Sequence, residues 1–266
     1  MTTQGQSDST EYKERGFGHV LRFNLGIFRD HVLPRIPRAC YWHFDLHAGN
    51  GHNDLVDVVG SPIVFLSEVI RTDVPFQAHF VELNPNRAAT LSDRLGPSQH
   101  CMVHRQDNRV FLQSLPDLLR EGGENPAMAI GSILVDPNCP SDIPTTQLVE
   151  VLRKCPRMDV ILNIPTGHMK RINGAAASPK IRAEKMLAKL LLPVDIPGIF
   201  PRKHWLVRVP IENRNGFALF IGRNFEAGAW VKQWFYSTRS QKGKELLECL
   251  SYPGRKFYAE PQLSIW

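Results

Sequence analysis

No apolar run in the 266 residues approaches the roughly 20 that a membrane-spanning helix needs, so no membrane partner is expected. The polar opening stretch Met1–Gly16 has nothing of a secretory signal. Cysteine is scarce. Cys40, Cys101, Cys139, Cys155 and Cys249 are widely spaced and form no CxxC pair, which argues against a disulfide framework and for a reducing cytoplasm. His43, His47 and His52 cluster, yet their spacing matches no zinc site, so structural or loop roles are expected and no metal. Internal repeats and low-complexity tracts are missing too. These absences remove membrane proteins, secreted disulfide scaffolds and zinc modules from consideration.

What remains is ordinary globular composition, 42% hydrophobic and 22% charged, in a chain long enough for one sizeable core and a small appendage. The net charge of +6 favours a polyanionic partner such as nucleic acid. Positive charge gathers at Lys170 and Arg171, over 180–189, at Arg202 and Lys203, and in the last thirty residues. Residues 1–15 read as a disordered or loosely attached tail, 16–229 as the main domain, and 230–266 as a C-terminal extension packed on it.

Apolar residues Val20, Leu21, Leu25, Phe28 and Val32 recur at helical spacing, and Pro34 and Pro37 close that helix. Beyond it, strands and helices alternate. The strands are expected at Tyr41–Leu46, Ala78–Glu82, Cys101–Arg105, Gly131–Asp136 and Asp159–Ile164. A late pair, His204–Val209 and Ala218–Arg223, flanks the turn sequence Asn213-Arg214-Asn215-Gly216. Helices fit at Pro62–Thr72, Arg87–Leu95, Val110–Arg120, Gln147–Lys154 and Ser178–Leu191, with a loop over 173–179. Such alternation predicts a mostly parallel, seven-stranded α/β sheet of Rossmann-like type with helices on both faces and a terminal antiparallel hairpin. Five β–α units followed by a hairpin is the plan of the class I methyltransferases.

The first strand runs into Asp45-Leu46-His47-Ala48-Gly49-Asn50-Gly51. Glycines at a strand-to-helix turn let the backbone approach a nucleotide cofactor, and an acidic strand end can hold the ammonium of a methionine moiety. The alternative is a plain tight turn. Glu82 closes the second strand, followed by Leu83. A carboxylate there can accept both ribose hydroxyls, or it can simply stand solvated before the cap sequence Asn84-Pro85-Asn86. Asp107 and Asn108 follow the third strand, where an adenine amino group can be held or a turn capped. Glycines and carboxylates at successive strand ends are far more specific than any one of them, because ligands of open α/β sheets collect there.

The fourth strand ends in Asp136-Pro137-Asn138-Cys139. Amino-methyltransferases carry Asp or Asn followed by Pro-Pro-aromatic at this place. An exocyclic amine is a poor nucleophile. A side-chain oxygen and a backbone carbonyl that accept its two N–H bonds make it more nucleophilic and aim it for in-line attack. Here Asn138 replaces the second proline and Cys139 the aromatic that would stack on a flipped base. Asp136 can instead cap a turn or contact the methionine end of a cofactor. Cys139 opens a further alternative, a thiolate attacking a pyrimidine, although the partner carboxylate expected at the fifth strand is replaced by Asn163-Ile164-Pro165-Thr166. Asn163 can contact a base, and Lys170, Arg171, Arg202 and Lys203 can take phosphates.

In order, PheAspLeuHisAlaGlyAsnGly, GlySerPro, PheValGluLeuAsnPro, LeuValAspProAsn and AspValIleLeuAsnIlePro resemble the three-Cys-motif partner proteins of bacteria and phages, over roughly residues 40–250. These methyltransferase-like proteins are distantly similar to adenine-N6 methyltransferases acting on DNA and ribosomal RNA. The resemblance implies S-adenosylmethionine bound at Asp45, Gly49, Gly51, Glu82 and Asp107, with Asp136 and Pro137 at the methyl acceptor. His47, Asn50, Leu83, Asn108 and Asp136 are further candidates for holding the cofactor, and Asn138 for the acceptor site. The expectation is an S-adenosylmethionine-dependent enzyme acting on a nucleic-acid amino group, adenine N6 in DNA or alternatively in RNA. The rival is a catalytically silent partner protein of a mobile-element or defence system. A dinucleotide-dependent oxidoreductase is disfavoured by the Asp-Pro and the terminal hairpin.

Overall fold

The computed structural model describes residues 9–53, 57–165, 192–208, 217–226 and 235–252. The expected helix Ser178–Leu191, the loop over 173–179, the 213–216 turn and the end of the C-terminal extension lie outside the described residues, as do Lys170 and Arg171. Two compact units divide the chain: Met1–Asp136 with Thr146–Asp159, and Pro137–Thr145 with Val160–Trp266.

In the first unit, helix α1 (Ser9–Ile27) continues into a π-helical turn (Phe28–Val32) closed by Leu33 N–H donating to the Phe28 carbonyl at 3.0 Å. Residues 9–15, expected as part of a loose tail, are therefore the first turns of a helix. The reason is visible in its buried face. Glu14, Phe17, Leu21, Leu25 and Phe28 follow one another three or four residues apart and are all buried. The Arg22 guanidinium donates to Glu68 Oε1 at 2.8 Å, and Arg71 also grips Glu68, so α1 is pinned to helix α2 (Ser61–Thr72).

The parallel strands of this unit are β1 (Tyr41–Asp45), β4 (Phe76–Val81), β5 (Cys101–His104) and β6 (Ile130–Val135). β1 lies between β4 and β6, in register Asp45↔Phe80 and Asp45↔Leu134. The order β6-β1-β4-β5 places helices α3 (Pro85–Leu95) and α4 (Asn108–Glu121) in the crossovers. Helix α5 (Thr145–Lys154) belongs almost wholly to this unit and follows β6 in the chain. A short antiparallel ribbon, β2 (His52–Asn53) with β3 (Val58–Val59), precedes α2 and was not expected from sequence. Its two-residue strands are too short for periodicity to reveal.

Strand β7 (Met158–Ile164) is buried along its whole length. In the second unit it runs antiparallel to β9 (Ala218–Arg223), and β9 runs antiparallel to β8 (His204–Arg208). A further strand, β10 (Phe235–Ser237), pairs antiparallel with β8. Among the described residues this unit therefore has one strand beyond the expected late pair, with Phe235 buried on it. Short helix α6 (Ile196–Ile199) and helix α7 (Gln241–Ser251), capped by Ser240, complete this unit. The first unit has the hydrogen-bonded order β6-β1-β4-β5 and the second β10-β8-β9-β7. In the first unit the β–α strands thus stand third, second, first, fourth, and in the second unit antiparallel strands follow β7. This is an α/β, Rossmann-like fold.

Candidate functional site

In the first unit the chain leaves β1, adds β4 and β5 on one side, then returns to place β6 on the other. That reversal of strand order opens a crevice at the carboxyl ends of β1 and its neighbours, the usual ligand position in such sheets. The loop after β1 is fastened on both flanks. Leu46 N–H donates to the Leu134 carbonyl and Ala48 N–H to the Val81 carbonyl, each at 3.0 Å. Gly49 and Gly51 then take φ of +63° and +79°, a region that side chains resist. A Cβ on Gly49 would meet nothing within 4 Å, so the turn presents bare backbone to open space.

Asp45 is fully buried at the foot of this turn. Its Oδ1 accepts from the His47 N–H at 3.0 Å and its Oδ2 from the Ser61 hydroxyl at 2.6 Å. Its strand-end position suits a methionine ammonium. The structure turns it inward, where it ties the glycine turn to the start of α2. Burial pushes its pKa up to about 7, even though the Ser61 and His47 hydrogen bonds favour the carboxylate. Ser61 escaped the sequence reading because a serine at a helix start looks like any cap.

Glu82 follows β4 and is nearly buried. Oε1 accepts from Asn84 N–H at 2.7 Å, and the Arg87 guanidinium stands 3.7 Å from the same oxygen. Leu83 beside it is 67% exposed, an apolar side chain held in the open at a strand end. Asn108 Nδ2 lies 2.9 Å from His47 Nε2, joining the loop after β5 to the loop after β1. Asp107 caps α4, its Oδ1 accepting from Arg109 N–H at 2.7 Å. Its role in the geometry is therefore the capping one. Asn50 Oδ1 accepts from His52 N–H, and the Asn50 carbonyl accepts from Arg94 at 2.9 Å.

Asp136 follows β6 and meets a residue that sequence analysis had assigned to the tail. Lys13 Nζ donates to Asp136 Oδ2 at 2.5 Å. Burial opposes the Lys13 ammonium, but Asp136, Glu14 and Asp45 together outweigh it and its pKa is raised. Glu14 is buried beside this pair. Burial pushes its pKa up to about 8, with Asp136 and Asp45 adding repulsion, so it holds its proton at neutral pH. The signal that could have found it is a glutamate at a core-facing position of an amphipathic helix. Lys13, Glu14, Asp45 and Asp136 all belong to the first unit.

The second unit holds the other expected residues. Pro137 is buried and Asn138 exposed. The Cys139 thiol is pushed up, first by burial, and lies 2.6 Å from the Ser141 hydroxyl, so the thiolate nucleophile gains no support. Arg202 is buried and donates to the Pro201 carbonyl at 2.9 Å, which removes it from the expected phosphate-binding surface. Asn163 is likewise buried, in the apolar strand β7. Lys203 alone of the described nucleic-acid candidates is exposed.

No family model and no curated protein matches this sequence. Solved structures resembling it include protein LPL1258 from Legionella pneumophila, with 13% identity, TM-score 0.46, and coverage of 90% of this chain and 94% of that one. Human methyltransferase-like protein 13, determined with SAH, has 15% identity, TM-score 0.44 and coverage of 96% and 97%. The N-methyltransferase NodS from Bradyrhizobium japonicum has 12% identity, TM-score 0.40 and coverage of 83% and 100%. The fold rests on the strand order itself rather than on likenesses of this size.

Proposed function

We propose that this protein is an S-adenosylmethionine-dependent methyltransferase acting on a nucleic-acid amino group, with adenine N6 in DNA as the first substrate and RNA adenine as the alternative. The observation that carries the reading is the strand-end crevice of the first unit. It combines a glycine turn with open space beside Gly49, a nearly buried carboxylate at Glu82 and an Asn108–His47 contact bridging the flanking loops. These residues fit an adenosyl group. Glu82 uses Oε1 on Asn84, which leaves Oε2 for a ribose hydroxyl among the described residues. Exposed Leu83 offers an apolar face to a purine. When bound, the cofactor supplies an electrophilic methyl group on a sulfonium.

Asp136 is the group this chain offers to an incoming amine. Its carboxylate accepts an N–H bond, restores lone-pair density on nitrogen and fixes the direction of approach. The amine proton is taken up after transfer by a base that can be solvent. The net positive charge supports a polyanionic substrate.

A second reading is favoured by one observation. One oxygen of Asp136, Oδ2, is already held by Lys13. A catalytically silent partner protein of a mobile-element or defence system, keeping the fold, is consistent with that closed pair. The deciding experiment is transfer of tritiated methyl from S-adenosylmethionine to DNA and to RNA by the wild type and Asp136→Ala. The wild type is expected to label polymer. Asp136→Ala is expected to lose at least ~100-fold in transfer while still binding cofactor, the scale of removing a transition-state hydrogen-bonding group. Normal transfer by Asp136→Ala would falsify the acceptor site. Cofactor binding without labelling of either polymer supports the silent partner.

A further inference from the structure

We propose that Lys13 is a displaceable counter-ion that sets how strongly this site prefers a cationic methyl donor over its neutral by-product. The inference rests on the reading that the crevice of the first unit binds an adenosyl sulfonium. Its ground is a juxtaposition nothing in the motifs announced. A lysine from α1 occupies Asp136 at 2.5 Å, with the carboxyl groups of Glu14 and Asp45 close enough to act on the same ammonium. One carboxylate at the strand end thus holds one internal cation. A pocket arranged this way accepts a positive charge, and in the free protein the chain supplies that charge itself.

The consequence follows from charge alone. A sulfonium donor carries a positive charge at sulfur, whereas the thioether left after methyl transfer does not. Everything else in the two molecules is the same: adenine, ribose, ammonium and carboxylate. While Lys13 stays on Asp136, its ammonium repels the sulfonium and competes with it for that carboxylate, so the donor gains little over the by-product. When the α1 cation moves off, Asp136 loses that counter-charge, which a sulfonium can replace and a thioether cannot. Lys13 is half-buried and sits in the first turns of α1, five residues into that helix. On this account a shift of that end releases it, while the Arg22–Glu68 bond holds the middle of α1. Lys13 on this account is a specificity-determining residue, not a catalytic one.

The alternative role for a lysine here is to grip the carboxylate of the methionine moiety. That carboxylate is present in donor and by-product alike, so the two roles make opposite demands on one ratio. Calorimetric titration of the full chain with S-adenosylmethionine and with S-adenosylhomocysteine gives that ratio for the wild type, Lys13→Met and Lys13→Arg. Lys13→Met is expected to raise the donor-to-by-product affinity ratio by ~5- to 50-fold, the effect of removing one like charge at close range in a partly buried site. Lys13→Arg, which keeps the charge, is expected to hold the wild-type ratio. An equal loss of affinity for both ligands in Lys13→Met, or an equal rise of the ratio in Lys13→Arg, overturns the inference. A wild type that binds neither ligand overturns the cofactor reading and this inference with it. A wild type that binds both, with a ratio unmoved by Lys13→Met, overturns this inference alone.

Should Lys13→Met fail to fold, the wild type answers directly. Lys13 acylation by an amine-reactive ester, followed by mass spectrometry, is expected to accelerate several-fold with saturating S-adenosylmethionine and not with S-adenosylhomocysteine. Equal Lys13 reactivity in the two complexes refutes displacement.

Discussion

At the scale of single residues, two carboxylates that look alike in the sequence do different work. Asp45 and Glu82 each close a strand, yet Asp45 has both oxygens engaged inside the protein, whereas Glu82 commits only Oε1. The first is a structural pin and the second is the proposed ligand group. Glu82→Gln keeps the shape and an oxygen for Asn84 N–H but removes the charge. Hydrogen bonds to a charged acceptor contribute about 1.5–3 kcal/mol, roughly twice the neutral value. S-adenosylmethionine affinity is therefore expected to fall ~10- to 100-fold by calorimetry with the melting temperature nearly unchanged. An unaltered dissociation constant removes Glu82 from the site. The same contrast explains what was legible at this scale. Strand-end position is written in the sequence, and it located Asp45, Glu82 and Asp136. The direction a side chain takes depends on neighbours sixteen or more residues away, such as Ser61 for Asp45 and Lys13 for Asp136, and no local pattern contains it.

At the scale of elements, the β1 loop shows why glycine positions were readable and their separate roles were not. Both Gly49 and Gly51 have positive φ, but their surroundings differ. A Cβ on Gly51 would stand 2.9 Å from Leu91 Cδ1, whose side chain is fully buried on α3, while a Cβ on Gly49 would touch nothing. Gly51→Ala thus adds a packing clash to backbone strain, and Gly49→Ala adds strain alone. The expectation is ~2–4 kcal/mol lost for Gly51→Ala and ~1–2 kcal/mol for Gly49→Ala, read as thermal or denaturant midpoints. Equal losses would mean that the turn does not pack on α3 as described. The strands and α2 to α5 were located within a few residues because their apolar periods are strong. The start of α1 was missed because its first turns carry charged residues on the core-facing side, Glu14 among them, and a period-3.6 search for apolar residues stops at the first such position. The β2–β3 ribbon and β10 were missed because strands of two or three residues leave no period at all.

At the scale of the whole molecule, buried titratable groups of opposite kind set the pH at which the protein is most stable. Glu14 and Asp45 have folded pKa values raised to about 8 and about 7, so they hold protons that the unfolded chain releases. Their stabilising contribution is full below the unfolded carboxylate pKa of about 4 and is lost as pH rises through about 7 to 8. Three histidines act in the other direction. His43 is fully buried, stacked 4.1 Å from Phe65 and bonded to Ser132. Burial lowers its pKa to about 3. His79 is held at about 3 and His104 below its ordinary value, again chiefly by burial, and their rings stack on one another with a 2.9 Å nitrogen–nitrogen contact. The unfolded chain binds protons at these sites below about 6.5 while the folded chain refuses them. That contribution is therefore present above about 6.5 and lost as pH falls toward 3. Between about 4.5 and 6.5 the two sets oppose each other. Among these five groups, only the carboxyls still change above that range, and only the histidines below it. A melting temperature measured from pH 4 to 9 should therefore peak near about pH 6–7 and decline on both sides. Glu14→Gln removes one of the two groups responsible for the alkaline decline, so its curve should run flatter above pH 6.5 and lie above the wild type at pH 8–9. The acid limb, to which the histidines and the Arg-paired Glu68 carboxylate contribute, should keep its slope below about pH 4.5, where Glu14 is protonated in both states. An alkaline limb as steep in Glu14→Gln as in the wild type would show that the Glu14 carboxyl is charged in the folded protein, and that the cation on Asp136 sits in a more anionic setting than the buried, protonated Glu14 implies.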